Sequence, residues 1–135
     1  MLRFTRELVA FRRRHRSLTV NRFFDGRPVP GRGLPDVRWH GAMLGEPGWH
    51  DPHGRLLAFT VTGGVEEEDL HVIFNMADQA SEVMVPEIPG RHWHVAIDTA
   101  RRSPLDIVAR ARQEPYREHR YRASARSVVA LEART

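Results

Sequence analysis

From residue 56 onward, this chain of 135 residues consists of short β-prone segments separated by turn residues. Polar and apolar side chains alternate along several of these segments, as they do in strands that bury one face. The segments cover residues 56–62, 70–75, 82–86, 92–98 and 126–131. Several short strands with turn signals between them predict an antiparallel sandwich or barrel.

An amphipathic helix is predicted to precede the strands, over residues 2–15. Phe4, Leu8 and Phe11 recur at spacings of four and three, which is typical of a helix with one apolar face. Because one helix cannot bury such a stripe alone, this helix must fold back on the strands, pair with another copy, or stay partly exposed. The Gly- and Pro-rich stretches 25–35 and 41–54 are predicted to be loops.

The predicted fold class is therefore mainly β. We expect a Greek-key-like antiparallel β-sandwich of about seven strands, preceded by one N-terminal α-helix. Trp93 alternates with polar neighbours in its segment, so it is expected to point into the core.

Composition removes several classes of function. The chain has no cysteine, which excludes disulfides, thiolate zinc sites and cysteine nucleophiles. A net charge of +4 is modest, and no aromatic residues interleave with the arginines of segment 12–16, so nucleic acid is not a predicted partner. No apolar run approaches the ~20 residues that span a bilayer, so a membrane is not predicted either. Charges at residues 3–7 disfavour a signal peptide, and the expected location is cytoplasmic.

A set of short motifs occurs in a fixed order along the chain. They are Trp-His-Gly at 39–41, Pro-Gly-Trp at 47–49, Leu-Ala-Phe-Thr-Val at 57–61, an Asn-ended strand at 70–75, Asp-Thr-Ala at 98–100 followed by Ser-Pro-Leu-Asp at 103–106, and Tyr121 followed by Arg-Ser-Val-Val at 126–129. Together these motifs resemble the C-terminal part of isoamylase-type and bacterial glycogen-debranching enzymes. Gly48 departs from that pattern, because the family has an aspartate before the tryptophan.

The resemblance implies membership of the α-amylase superfamily, whose debranching enzymes hydrolyse α-1,6 branch linkages in glycogen. Their two catalytic carboxylates lie in a (β/α)₈ barrel, which needs ~250 residues. No catalytic residue is therefore assigned within this chain. Residues 1–20 resemble the last helix of that barrel, and residues 21–135 the C-terminal β-sandwich domain. The expected role is to stabilise the catalytic barrel, which is the expected partner.

Trp39, His40 and Trp49 are the candidate substrate-binding residues. Indole faces suit the apolar side of glucose, and the stretches that carry these residues read as loops, where binding residues concentrate. The alternative to a structural domain is a free-standing module that binds glycogen or another α-glucan through these tryptophans.

Other polar groups are predicted to have no catalytic or binding role. The histidine pairs 50/53 and 92/94 lack a third ligand placed by spacing, so neither a metal nor another cofactor is predicted. The acidic run 66–69 is expected to be a solvated hairpin tip, and the basic run 12–16 a solvated helix end. Weak self-association through the N-terminal helix is expected if its stripe stays uncovered.

Overall fold

The computed structural model describes residues 2–19 and 23–135, and the predicted boundary between residues 20 and 21 lies outside these ranges. The described residues form one α-helix, α1 (Leu2–Arg14), followed by a short 3₁₀ helix (Arg16–Leu18). They also form eight strands: β1 (Val37–His40), β2 (Leu56–Val61), β3 (Asp69–Asn75), β4 (Ser81–Met84), β5 (His92–Asp98), β6 (Pro115–Tyr116), β7 (Arg120–Ala123) and β8 (Ser127–Arg134). The predicted helix and the five predicted strands are confirmed to within a few residues at their ends.

The strands form two antiparallel sheets. The larger sheet has the order β1-β2-β3-β8-β5-β6, and the smaller one pairs β4 with β7. The last strand, β8, is inserted between β3 and β5, so strands distant in sequence are neighbours in the sheet. The mainly β, antiparallel architecture with one preceding helix is therefore confirmed.

The core between the two sheets is apolar and closely packed. Trp93 belongs to it, as predicted, and its indole Nε1–H donates to the carbonyl of Pro86 over 2.6 Å. Its buried members come from both sheets and the segments between them: Ala58, Ile73, Val83, Val85, Ile88, Trp93, Val95, Tyr121, Ala123, Val129, Leu131 and Ala133. Burying each large side chain of this kind contributes about 1.5–3 kcal/mol, so this cluster is the main source of stability.

Helix α1 packs on the opposite, outer face of the larger sheet. Phe11 is buried there with Leu70, Val72 and Ala130, and Phe4 is partly buried against the same cluster. Of the three alternatives for the helix stripe, folding back on the strands is the one observed. Leu8 nevertheless stays exposed, so only part of the predicted stripe is used.

Three predictions about local structure are wrong. Trp39 lies in β1 and not in a loop, because residues 37–40 pair with β2 in the register Trp39 opposite Phe59. The acidic run is not a solvated tip, since Asp69 is fully buried against two arginines. The basic run is not simply solvated either, because His15 is buried and hydrogen-bonds to Glu132.

In the part of the chain that the structure describes, no helix has the length and apolar character needed to cross a bilayer.

Candidate binding surface and its buried support

Four aromatic side chains form a continuous row on the outer face of the larger sheet. Trp49 contacts Trp39 edge to face at a centroid distance of 5.4 Å, and Trp39 lies 5.4 Å from Phe59. Phe59 in turn stacks on Phe74 at 6.0 Å. We call Trp49, Trp39, Phe59 and Phe74 the aromatic row. It lies beside the cluster on which α1 packs, because Phe59 and Phe74 also touch that cluster.

Strand register explains why three members of the row are neighbours. Trp39 on β1 lies opposite Phe59 on β2, and Phe59 lies opposite Val72 on β3. Phe74 is two residues further along β3, so it projects from the same face as Val72. Side chains directly opposite one another project from the same face of a sheet. The two tryptophans are the exposed members of the row, with 42% of Trp39 and 61% of Trp49 accessible to solvent.

Trp49 comes from the loop that joins β1 to β2, and that loop is held by a close approach of backbone to backbone. A Cβ atom on Gly41 would lie 2.4 Å from the carbonyl oxygen of Glu46, so only glycine fits there. Beyond the loop, a groove of about 390 Å³ runs between Trp49, Leu57 and Phe74.

His40 is also tied to this loop, but from inside the molecule. It is buried on the inner face of β1, where its Nδ1 accepts the N–H of Gly45 over 2.8 Å. Its Nε2 must then carry the proton, and it donates to Oγ1 of Thr60 over 3.0 Å. Oγ1 of Thr60 is in turn hydrogen-bonded to Nδ1 of His71 over 2.9 Å. His40 therefore supports the loop and does not reach the aromatic row.

Burial keeps both histidines neutral. It lowers the pKa of His40, with a smaller contribution from the positive charge of Arg38. Burial, with smaller contributions from the interactions with His40 and Arg38, lowers the pKa of His71 to about 3.

Asp69 anchors the turn between β2 and β3. Its two carboxylate oxygens each lie 2.7 Å from a guanidinium nitrogen of Arg32, and Arg91 approaches one of them to 3.3 Å. The backbone N–H of Gly63 donates to the same carboxylate over 2.8 Å. A two-point contact of this kind fixes the orientation of the guanidinium relative to the carboxylate and also pairs their charges.

A second buried acid, Glu132, holds the end of the helical segment. Its Oε1 lies 2.5 Å from Nε2 of His15 and 2.8 Å from Nε of Arg14. Burial by itself would raise the pKa of Glu132, but the hydrogen bonds from His15 and Arg14 outweigh it and lower the pKa to about 2. Glu132 is therefore a carboxylate at any physiological pH.

His15, Glu68 and Glu132 bring possible metal-ligand atoms within 4.8 Å of one another. Three guanidinium groups already surround the two carboxylates. Arg14 pairs with Glu132, Arg110 pairs with Glu68, and Arg134 lies 3.7 Å from both acids. A further cation would be repelled by these charges. We assign the cluster to anchoring the helix and not to holding a metal.

The structure thus separates the three candidate binding residues. Trp39 and Trp49 lie together on the surface, whereas His40 lies on the other side of the sheet. Phe59 and Phe74 were missed as members of the surface. The sequence does indicate that both project from the outer face, because they alternate with inward-facing residues in predicted strands. Only the pairing of β1 with β2 reveals that they continue the row.

Comparison with known proteins places the chain in a family. The sequence profile described as "Isoamylase 1-3, C-terminal" matches residues 38–133, which is most of the chain. The chain belongs to this isoamylase C-terminal family. The family resemblance of the motifs is thereby confirmed, and β1 to β8 fall almost entirely inside the matched region.

Curated relatives agree with the profile. The chain is 34% identical over 106 residues to "Isoamylase 1, chloroplastic" of Arabidopsis thaliana, an alignment that covers 78% of the chain and 12% of the relative. It is 29% identical over 133 residues to "Isoamylase 3, chloroplastic" of Oryza sativa subsp. japonica, covering 98% of the chain and 15% of the relative. "Isoamylase SU1, chloroplastic" of Zea mays is 31% identical over 108 residues, covering 80% of the chain and 12% of the relative. The chain therefore spans only a small fraction of the length of these relatives.

Proposed function

We propose that this chain is the non-catalytic C-terminal domain of a glycogen-debranching enzyme, and that it stabilises a catalytic barrel that hydrolyses α-1,6-glucosidic branch linkages. In this proposal residues 1–20 contain the last helix of the barrel, and residues 21–135 are the β-sandwich domain. Membership of the isoamylase C-terminal family and the small share of each relative that the chain spans support it.

The observation that carries the proposal is that α1 is apolar on two opposite sides. Phe4 and Phe11 face the sheet, while Leu2 and Val9 are exposed. At 100° per residue, the exposed pair lies nearly opposite the buried pair around the helix axis. A helix with apolar residues on both sides is typical of one packed between two bodies. The sheet is one body, and the barrel is the second that we propose.

The aromatic row extends this outward-facing apolar surface. It lies on the same face of the sheet as α1, and its tryptophans are exposed although indole burial is strongly favourable. Contiguous exposed apolar surface on a globular domain marks a contact site for another molecule or domain.

The test is to produce this chain and the barrel-containing remainder of its parent enzyme as separate polypeptides. We expect the barrel part alone to lose branch-hydrolysing activity quickly on heating, and addition of this chain to slow that loss. Activity of this chain by itself on a branched glucan would contradict a non-catalytic role. An unchanged inactivation rate on mixing would contradict the stabilising role.

A second candidate function is α-glucan binding by the two tryptophans, in a free-standing module or in the parent enzyme. The observation that favours it is their exposure together with the 66° angle between the indole planes. Inclined ring faces suit a curved chain such as an α-1,4-glucan better than a flat one.

Retardation in gels that contain glycogen tests this second function. If the tryptophans bind glucan, the wild-type chain is retarded, and both Trp39→Ala and Trp49→Ala reduce the retardation. Phe23→Ala is the matched control, because Phe23 is almost fully exposed but lies outside the aromatic row. An unretarded wild-type chain, or equal retardation of all the variants, would exclude binding by the row.

A further inference from the structure

A second concave site lies on the opposite side of the larger sheet from the aromatic row. Its volume is about 580 Å³, within the range of ~300–1,000 Å³ that is usual for ligand pockets. The floor is apolar and consists of Ile88, Trp93 and Tyr116, which belong to the core between the two sheets or pack against it. We call this space the edge pocket, because it opens beside β6, the outermost strand of the larger sheet.

Hydrogen bonds hold the walls of the edge pocket in place. The walls are the connection between β4 and β5 and the connection between β6 and β7. The backbone N–H of Val85 in the first donates to the carbonyl of His119 in the second over 2.8 Å. The first wall is also tied to the floor, since the indole of Trp93 donates to the carbonyl of Pro86. The pocket is therefore formed before any ligand arrives, which lowers the entropic cost of binding.

The charges around the edge pocket favour a neutral ligand. Two acids, Glu87 and Glu118, and two bases, Arg91 and Arg117, line it, so their formal charges cancel and neither an anion nor a cation is favoured. Among the described residues, no three metal-ligand atoms converge at this pocket, which disfavours a metal ion as well.

The floor and the rim together suit a ligand with one apolar face and a hydroxylated edge. The floor offers ring and aliphatic carbon atoms, whereas the exposed rim offers carboxylates that accept hydrogen bonds and the imidazole of His119, which can donate or accept. A pyranose ring has both surfaces, since its C–H groups form an apolar face and its hydroxyls surround that face.

We propose that the edge pocket binds one end of a short, neutral oligosaccharide. The proposal rests on the proposed function only for the expected linkage, because a domain of a debranching enzyme meets α-linked glucan. The pocket lies on the inner side of the larger sheet, so it is separate from the barrel contact and from the aromatic row.

Titration of the chain with maltotriose and, separately, with cellotriose tests the proposal, with glycerol as the reference for non-specific effects. The readout is the set of indole N–H resonances in ¹⁵N NMR spectra, one for each of the three tryptophans. Trp39→Phe and Trp49→Phe assign these resonances, because the third then belongs to Trp93. We expect a saturable shift of the Trp93 resonance with at least one of the two sugars. A response to maltotriose alone supports the proposal and assigns an α linkage, and a response to cellotriose supports it with a different linkage.

Glu118→Ala combined with His119→Ala removes two rim side chains and leaves the backbone bond from Val85 intact. This variant should bind the sugar roughly tenfold more weakly, as expected for the loss of one or two hydrogen bonds. Glu114→Ala is the matched control, because Glu114 is an exposed acid that does not line the pocket, and its affinity should be that of the wild type.

Two results would overturn the proposal. One is a Trp93 resonance that shifts no more with either sugar than with glycerol. The other is equal affinity in the wild type and in the Glu118→Ala/His119→Ala variant. Shifts confined to Trp39 and Trp49 would support glucan binding by the aromatic row and exclude the edge pocket, so the two sites are distinguished in one experiment.

Discussion

Nε2 of His15 lies 2.5 Å from Oε1 of Glu132, and both side chains are buried. This contact joins the end of the helical segment to the last strand of the sheet across 117 residues of sequence. It fixes α1 on the outer face together with the packing of Phe11. The C-terminal end of α1 thus has one apolar anchor, Phe11, and one ionic anchor, while Arg3 at the start of the helix forms a further ion pair with Asp106.

Replacing Glu132 by glutamine should therefore loosen α1. The substitution leaves His15 and Arg14 beside a neutral group, and breaking a buried pair in this way costs about 3 kcal/mol. Urea unfolding should report this loss, and amide exchange should accelerate within α1. Glu82→Gln, which removes an exposed acid, should change the stability by less than about 0.5 kcal/mol. Unchanged exchange in α1 of Glu132→Gln would show that the ionic anchor is not needed.

Acid should weaken the fold first through His71. Burial, together with the interactions with His40 and Arg38, lowers the pKa of His71 from 6.5 to about 3 in the native state. Because the unfolded chain takes up this proton below about pH 6.5 and the native chain does not, stability is complete above that pH. It falls with pH between 6.5 and 3, by up to about 1.4 kcal/mol per unit.

Urea unfolding between pH 7 and pH 4.5 measures this slope. His71→Gln cannot take up the proton but retains a side-chain amide that can hydrogen-bond to the Thr60 hydroxyl, so its stability should depend less on pH in this window. The same slope in the wild type and in this variant would assign the acid sensitivity to other groups.

The turn after β2 should tolerate a methyl group at one glycine and not at its neighbour. A Cβ atom on Gly63 would lie 2.4 Å from the carbonyl oxygen of Glu68, and the N–H of Gly63 is bonded to Asp69. Gly63→Ala should therefore lower the free energy of unfolding by about 1–3 kcal/mol, as at other overpacked sites. At Gly64 the nearest atom, at 3.2 Å, is the mobile carboxylate end of Glu67, so Gly64→Ala should cost little.

Thermal or urea unfolding of the two alanine variants checks this contrast. Equal stability of Gly63→Ala and Gly64→Ala would mean that the turn can shift away from Glu68.

Local sequence patterns predicted the elements but not the contacts between distant ones. Alternation located β5 and its core residue Trp93 because a strand of seven residues contains several alternations. β1 has only four residues, including an arginine and a histidine, so its pattern is too short to distinguish from a loop. Trp39 was therefore recognised as a candidate binding residue but was assigned to the wrong kind of segment.

The buried charges could not be predicted for a different reason. Asp69 and His15 lie in strongly charged runs, which are usually solvated. Their burial depends on Arg32, Arg91 and Glu132, which pairing of the strands and docking of the helix bring close. No local feature marks such partners, because the nearest of them along the chain is more than 20 residues away. The role of His40 in supporting the loop was hidden in the same way.

The central proposal is that the outer face, with the aromatic row and the exposed side of α1, is covered by a catalytic barrel. Hydroxyl-radical footprinting of Trp39 and Trp49 tests it most directly, with the chain alone compared with the chain joined to its parent barrel. Both tryptophans are exposed in the chain alone, so both should be oxidised readily there. We predict strong protection of both in the joined enzyme without any glucan present. Equal oxidation in the two forms would contradict the account.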